Sequence, residues 1–206
     1  MKLLVLTAPS GAGKTTIARR LLAEVPGLRF SVSATTREPR PAEAHGVDYF
    51  FLSAEEFLHR LSDGDFVEHE EVYPGRFYGT LRDEVERTAR EPDVRAVVLD
   101  VDVKGALNVK RLYGAAALTL FVEPPSLAAL AARLQGRGTE TDDRVAVRLE
   151  RAKMELGYAG EFDAVVVNDD LDRAVAETVG LVGAFLDGGG AGAVGRGAAP
   201  VGRGGP

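Results

Sequence analysis

Residues 8–15 read Ala-Pro-Ser-Gly-Ala-Gly-Lys-Thr, and no other stretch limits the fold so tightly. They follow an apolar run, residues 3–6, suited to a short buried strand, and precede residues 16–23, suited to a helix. Strand, glycine-rich loop and helix is the context that a phosphate-binding loop requires. Gly11 and Gly13 let backbone N–H groups converge on one anion. The helix N-terminus behind them adds roughly half a positive charge. On this reading Ser10, Gly11, Ala12, Gly13, Lys14, Thr15 and Thr16 surround a phosphate chain. Lys14 reaches its β- and γ-phosphates, and the Thr15 hydroxyl holds Mg²⁺. Ala8 stands where the pattern usually begins with glycine, a change that a negative φ accommodates.

Strand and helix signals alternate along most of the chain, which predicts an α/β fold with a largely parallel sheet. Strands are expected at residues 30–33, 49–52, 66–72, 94–99, 116–122 and 164–167. Phe66, Glu68 and Glu70 should share one face of theirs. Ser53 and Glu56 form a capping box for a short helix to residue 61, Thr80 caps a helix to about residue 91, and Ser126 caps one to about residue 134. Further helices are expected near residues 104–112, at 142–156 and at 171–186. From residue 187 onward glycine, alanine and proline dominate, and such a tail is expected to be disordered. The 206 residues suit one domain, with or without a small insertion. A formal net charge of −6 argues against a nucleic-acid protein. The chain has no cysteine, which removes disulfides and thiolate zinc sites. No secretion signal and no apolar run near the roughly 20 residues of a membrane span are visible, so the expected compartment is the cytoplasm.

A second informative stretch is Ser33-Ala34-Thr35-Thr36-Arg37-Glu38-Pro39-Arg40. Two arginines three apart sit in a loop that prolines hold extended, and guanidinium forks match phosphate oxygens bidentately. A phosphate held here is not the one in the first loop, so the chain is expected to bind two phosphorylated ligands. Asp100 ends an apolar strand, where a Mg²⁺-holding carboxylate belongs. Asp102 follows on the same side, favouring a site at the sheet's carboxyl edge. Arg133 and Arg137, like Arg144 and Arg148, are four apart on helical segments. His45, His59 and His69 have no partners at metal-ligand spacing.

Taken in register, these segments resemble the guanylate kinases. Residues 31–40, then Gly46-Val47-Asp48-Tyr49, are similar to that family's GMP-binding segment. Phe66-Val67-Glu68, Tyr78-Gly79-Thr80, Leu99-Asp100-Val101-Asp102, Gly136-Arg137-Gly138-Thr139-Glu140-Thr141 and Val167-Asn168-Asp169-Asp170 are similar to its remaining signatures, in the same order. The resemblance covers about residues 2–186. It implies a P-loop kinase fold with a mostly parallel five-stranded sheet flanked by helices, a small β-rich GMP-binding insertion (residues 34–80) and a helical lid (residues 136–156). The core would comprise residues 1–33, 81–135 and 157–186.

It also implies roles. Arg37, Arg40, Tyr49 and Tyr78 would clamp the GMP phosphate. Glu68, assisted by Asp102, would accept from guanine N1–H and the N2 amine, while the Ser33 and Thr80 hydroxyls meet O6. Arg133, Arg137 and Asn168 would lie on ATP, and Lys14, Arg40, Arg137 and Arg148 would serve the transfer, with Thr15 and Asp100 on Mg²⁺. The activity implied is ATP-dependent phosphorylation of GMP or dGMP, by a monomer or homodimer without nucleic-acid or membrane partners. Two rivals are a related kinase acting on a sugar phosphate and a non-catalytic guanylate-kinase-like binding module. The first does not need Glu68, Tyr78, Thr80 and Asp102 together, and the second lacks the loop and lid cations present here. Ala42 and Lys104 depart from the family's usual glycine and glutamine, and neither change removes a ligand.

Overall fold

Strand β1 (Leu3–Thr7) is buried at every position because both its edges and both its faces are covered. The computed structural model of the chain describes residues 1–136 and 142–188. The elements after β1 are, in chain order, α1 (Lys14–Glu24), β2 (Leu28–Phe30), β3 (Ala34–Thr35), β4 (Phe50–Phe51), α2 (Ala54–Ser62), β5 (Phe66–Tyr73), β6 (Arg76–Leu81), α3 (Arg82–Ala89), β7 (Ala96–Asp100), α4 (Val103–Tyr113), β8 (Ala117–Glu123), α5 (Leu127–Gln135), α6 (Asp142–Leu156), β9 (Ala164–Val167) and α7 (Leu171–Leu186). A five-stranded sheet runs in the order β2-β7-β1-β8-β9, with every pairing parallel. This is the expected α/β fold.

Period-two alternation divides the core in two. Leu4, Leu6, Val98, Leu118, Leu120 and Val122 pack on one face with α1 and α7, through Ile17, Leu21, Val175 and Val182. Leu3, Val5, Val97, Leu99 and Phe121 pack on the other with α4, through Val103, Ala106 and Val109. Each such side chain contributes about 1.5–3 kcal/mol on burial.

Residues 34–81 build a second, four-stranded sheet in the order β4-β3-β6-β5 around Phe57, Phe66 and Phe77. The rings of Phe57 and Phe66 stack at 4.4 Å. Val67 leaves this cluster and joins the α4 side of the main core. Its burial there helps to tie the small sheet to the large one.

Three local expectations are corrected. Residues 30–33 are not one strand, because the chain changes sheets there: β2 ends at Phe30, Ser31 N–H still donates to Val98 O at 3.0 Å, and β3 begins in the other sheet. Phe66 and Glu68 do not share a face. Phe66 opposes Leu81 and Glu68 opposes Thr80, so Val67 is an extra residue and a bulge reverses the alternation. Thr80 lies inside β6 and does not cap α3, which starts after Leu81 without a side-chain cap. Half of the capping box at Ser53 forms, with its hydroxyl accepting from Glu56 N–H at 3.0 Å, while the Glu56 carboxylate turns to Arg60. The expectations for residues 137–141 and 189–206, the lid turn and the tail, lie outside the described residues. Among the described residues, no helix is long and apolar enough to cross a membrane.

Candidate active site

The loop after β1 closes on itself: Ala12 N–H donates to Pro9 O at 3.0 Å, and Gly11 and Gly13 take φ of 95° and 102°. Ala8 is not among the residues with positive φ, so its methyl group is tolerated. Gly13 is the N-cap of α1, with no side-chain cap and no acidic residue in the first turn. Thr16 N–H turns back to Gly13 O at 3.0 Å, and with no side-chain cap the N–H groups of Lys14 and Thr15 suit an anion. The loop is braced from behind. Asn168, buried at the end of β9, donates its amide to Ala12 O at 2.7 Å. Arg133 donates to Asn168 O at 2.8 Å and approaches Ala12 O at 3.5 Å. A Cβ on Gly13 would collide with the Asn168 amide. A cavity of about 380 Å³ lies over the loop, lined by Ser10, Gly11, Gly13, Lys14, Thr15 and Thr16 and, from α6, by Arg148 and Arg151. Arg148 Nη1 stands 3.4 Å from Ser10 Oγ.

A second cavity of about 270 Å³ lies between the carboxyl ends of β2 and β7 and the small sheet. Ser33, Tyr49, Glu68, Tyr78, Asp100 and Asp102 line it. Lys14 and Asp102 line both cavities, so the two adjoin at these side chains. Lys14 forms an ion pair with Asp100 and donates to Val101 O at 2.9 Å. Glu68 is buried, and Thr80 Oγ1 donates to its Oε1 at 2.6 Å. Burial raises its carboxyl from 4.5 to about 7, and the Asp102 carboxylate adds to the rise against the Thr80 hydrogen bond. Asp102 caps α4, accepting from Gly105 N–H at 2.7 Å. A buried carboxylate with a half-buried one beside it, both lining a cavity, suits a ligand edge with two N–H donors.

The arginine loop lies at the rim. Arg37 holds Glu43 through both nitrogens, at 2.7 and 2.9 Å, with its guanidinium 5.1 Å from the Tyr49 ring centre. The pairing lowers the Glu43 carboxyl to about 2 and raises Arg37. Burial raises the Tyr49 phenol. Arg40 extends into solvent with Nη1 3.8 Å from Glu43.

Of the residues expected at a site, the loop residues, Arg148, Ser33, Tyr49, Glu68, Tyr78, Thr80, Asp100 and Asp102 are brought together around the two cavities. Arg37 and Arg40 converge instead on Glu43, and Arg133 and Asn168 stand behind the loop. Arg137 lies outside the described residues. Sequence reasoning passed over Arg151, whose Nη2 lies 3.8 Å from Glu70 and 3.9 Å from Asp102. Its spacing of three from Arg148 on one helix was the available signal. It also passed over Glu43, six residues after Arg37, and over β6, which the turn at Pro74-Gly75 could have announced.

Comparison with known proteins agrees with this geometry. The family model described as guanylate kinase matches residues 1–182. A guanylate kinase of Salinibacter ruber is 59% identical over 184 residues, spanning 89% of this chain and 96% of that protein. One of Chlorobaculum tepidum is 49% identical over 185 residues, 90% of this chain and 93% of that one. The crystal structure of guanylate kinase from Anaplasma phagocytophilum superposes with a TM-score of 0.70 at 32% identity, covering 89% of this chain and 85% of that one. A phosphate loop, an acidic second cavity and a match over nearly the whole described chain place this protein in the guanylate kinase family.

Proposed function

We propose that this chain transfers the terminal phosphoryl group of ATP to GMP or dGMP, giving ADP and the guanosine diphosphate. The observation that carries the reading is the pair of adjoining cavities, one wrapped by the phosphate loop and the other floored by Glu68, with Lys14 and Asp102 common to both. Guanine offers N1–H and an N2 amine to acceptors. Adenine offers a bare N1 and an N6 amine, which reverses the pattern. A buried carboxylate left unpaired by the wrong base can reject it by on the order of 10⁴. The Ser33 hydroxyl, which lines this cavity, would meet guanine O6, and Thr80 would do so only by giving up the hydrogen bond that it donates to Glu68.

The acceptor is already an anionic phosphate oxygen, so the reaction needs no general base. The obstacle is repulsion between two polyanions. Lys14 and Arg148 would neutralise charge on the transferring group while Arg37, Arg40, Tyr49 and Tyr78 hold the acceptor in line. Glu43 now occupies the Arg37 fork as a carboxylate stand-in for a phosphate, so acceptor binding would exchange one anion for another. Arg137 is assigned to the same charge neutralisation. Arg133 and Asn168 serve the donor side by holding the loop's backbone, a positioning role in addition to any contact with ATP.

The Thr15 hydroxyl and the Asp100 carboxylate fit Mg²⁺ that arrives with the nucleotide. One or two protein oxygens, completed by water and phosphate, are how that ion is usually held. When bound, Mg²⁺ supplies positive charge at the phosphate oxygens. The reading sets the reaction in the cytoplasm, where its nucleotides are pooled, and leaves nucleic acid and membranes without a part. No observation favours a sugar phosphate as acceptor or a purely binding role. ADP release measured with GMP, dGMP, AMP, UMP and a sugar phosphate tests it: GMP and dGMP should dominate, and equal rates with AMP would refute it.

A further inference from the structure

The first turn of α4 carries two carboxylates side by side. Asp102 caps it, and Glu68 reaches it from β5. An ideal Cβ at position 105 would fall inside 3.0 Å of Glu68 Oε2, closer than real Cβ atoms come, and 3.1 Å from both Glu68 Cδ and Asp102 Oδ1. The backbone does not ask for glycine there. Gly105 is helical and is not among the glycines with positive φ, and alanine is the better helix former. Its role lies in what it makes room for. Thr80 holds Glu68 Oε1 from one side, and the bare Cα of Gly105 receives Oε2 on the other. The N-terminus of the 11-residue helix behind them favours anions and eases the crowding of Glu68 beside Asp102.

We propose that Gly105 is a specificity-determining residue: its missing side chain is the space that sets the Glu68 carboxylate at the depth needed to accept from both donors of guanine. The proposal rests on the reading of Glu68 as the guanine acceptor. A methyl group at position 105 drives that carboxylate toward the cavity and into the volume of the base. The three atoms nearest that Cβ belong to Glu68 and Asp102, and none of them belongs to the phosphate loop.

The test compares Gly105→Ala with Gly180→Ala, the same change in α7 at a point where a Cβ meets nothing within 4 Å. Gly105→Ala should raise the KM for GMP by about 10–100-fold, narrow the preference for GMP over AMP, and leave the KM for ATP within about twofold. Tm should be unchanged or higher, as for Gly180→Ala, which should be kinetically silent. On a Glu68→Gln background the effect of Gly105→Ala on GMP should largely vanish, since the group it displaces no longer accepts from guanine. If the unmodified chain shows no preference for GMP over AMP, the reading of Glu68 fails and takes this proposal with it. If the preference is present but Gly105→Ala is silent, or equally costly on the Glu68→Gln background, or raises both KM values with a fall in Tm, the proposal alone is overturned.

Discussion

Glu68→Gln keeps the size of the side chain and an oxygen for Thr80 while removing a buried charge. Its carboxyl rises from 4.5 to about 7 in the folded protein, chiefly through burial. A rise of that size corresponds to about 3 kcal/mol against the ionised form. The folded value lies above the unfolded one, so the group favours the folded state at low pH, and that contribution is lost as pH climbs from about 4.5 to about 7. The unmodified chain and Glu68→Gln should therefore have similar relative stability near pH 4.5 and separate progressively above it. Above pH 7 the variant should be the more stable, by at most ~3 kcal/mol, or about 6–12 °C in Tm. The gain accompanies a loss. The Gln amide offers a donor where guanine needs acceptors, so GMP affinity should fall by roughly 10²–10³-fold. In the unmodified chain the ionised form is the one that binds, so the Kd for GMP should rise about tenfold between pH 8 and pH 6. Calorimetric melting across this pH range, with titration calorimetry for GMP, measures both. A Tm difference that does not vary with pH, or a variant less stable at pH 8, would refute the burial reasoning. Unchanged GMP affinity would refute the role.

Lys14→Ala should lower turnover by roughly 10²–10³-fold while GMP binding, followed by calorimetry at pH 8, stays within a few-fold. Its loss also removes a cation that lowers the Glu68 carboxyl, so the pH midpoint of GMP binding should move up. Asn168→Ala removes the hydrogen bond to Ala12 O and frees the loop beside Gly13; the KM for ATP should rise several-fold and that for GMP should not, as steady-state kinetics in each substrate will read. Glu43→Gln weakens the competitor for the Arg37 fork, so GMP should bind a few-fold tighter, and weaker binding would mean that Glu43 orients Arg37 for the phosphate rather than competing with it.

The long elements were legible because their signals are local. β9, α6 and α7 have the expected boundaries, since uninterrupted apolar runs and 3.6-residue periodicity need no partner to be read. The phosphate loop was legible for the same reason: glycine φ, the helix N-terminus and Lys14 all lie within eight residues. The small sheet was harder. β4 falls inside the strand expected at residues 49–52, but β3 is two residues long and exists through pairing with β4 and β6, which no window of sequence contains.

What the sequence alone determined is the class of fold, the phosphate loop and the residue types available to a second, acidic site. What the tertiary structure decided is where those residues meet. A bulge at Val67 turns Glu68 away from Phe66 and toward α4, a bare Cα at Gly105 receives its carboxylate, and Asn168 reaches 156 residues back to hold the loop. The physical reason is that chain propensity acts over a turn or a strand. A carboxylate's burial, its partners and its pKa depend on atoms that only folding brings within hydrogen-bond distance.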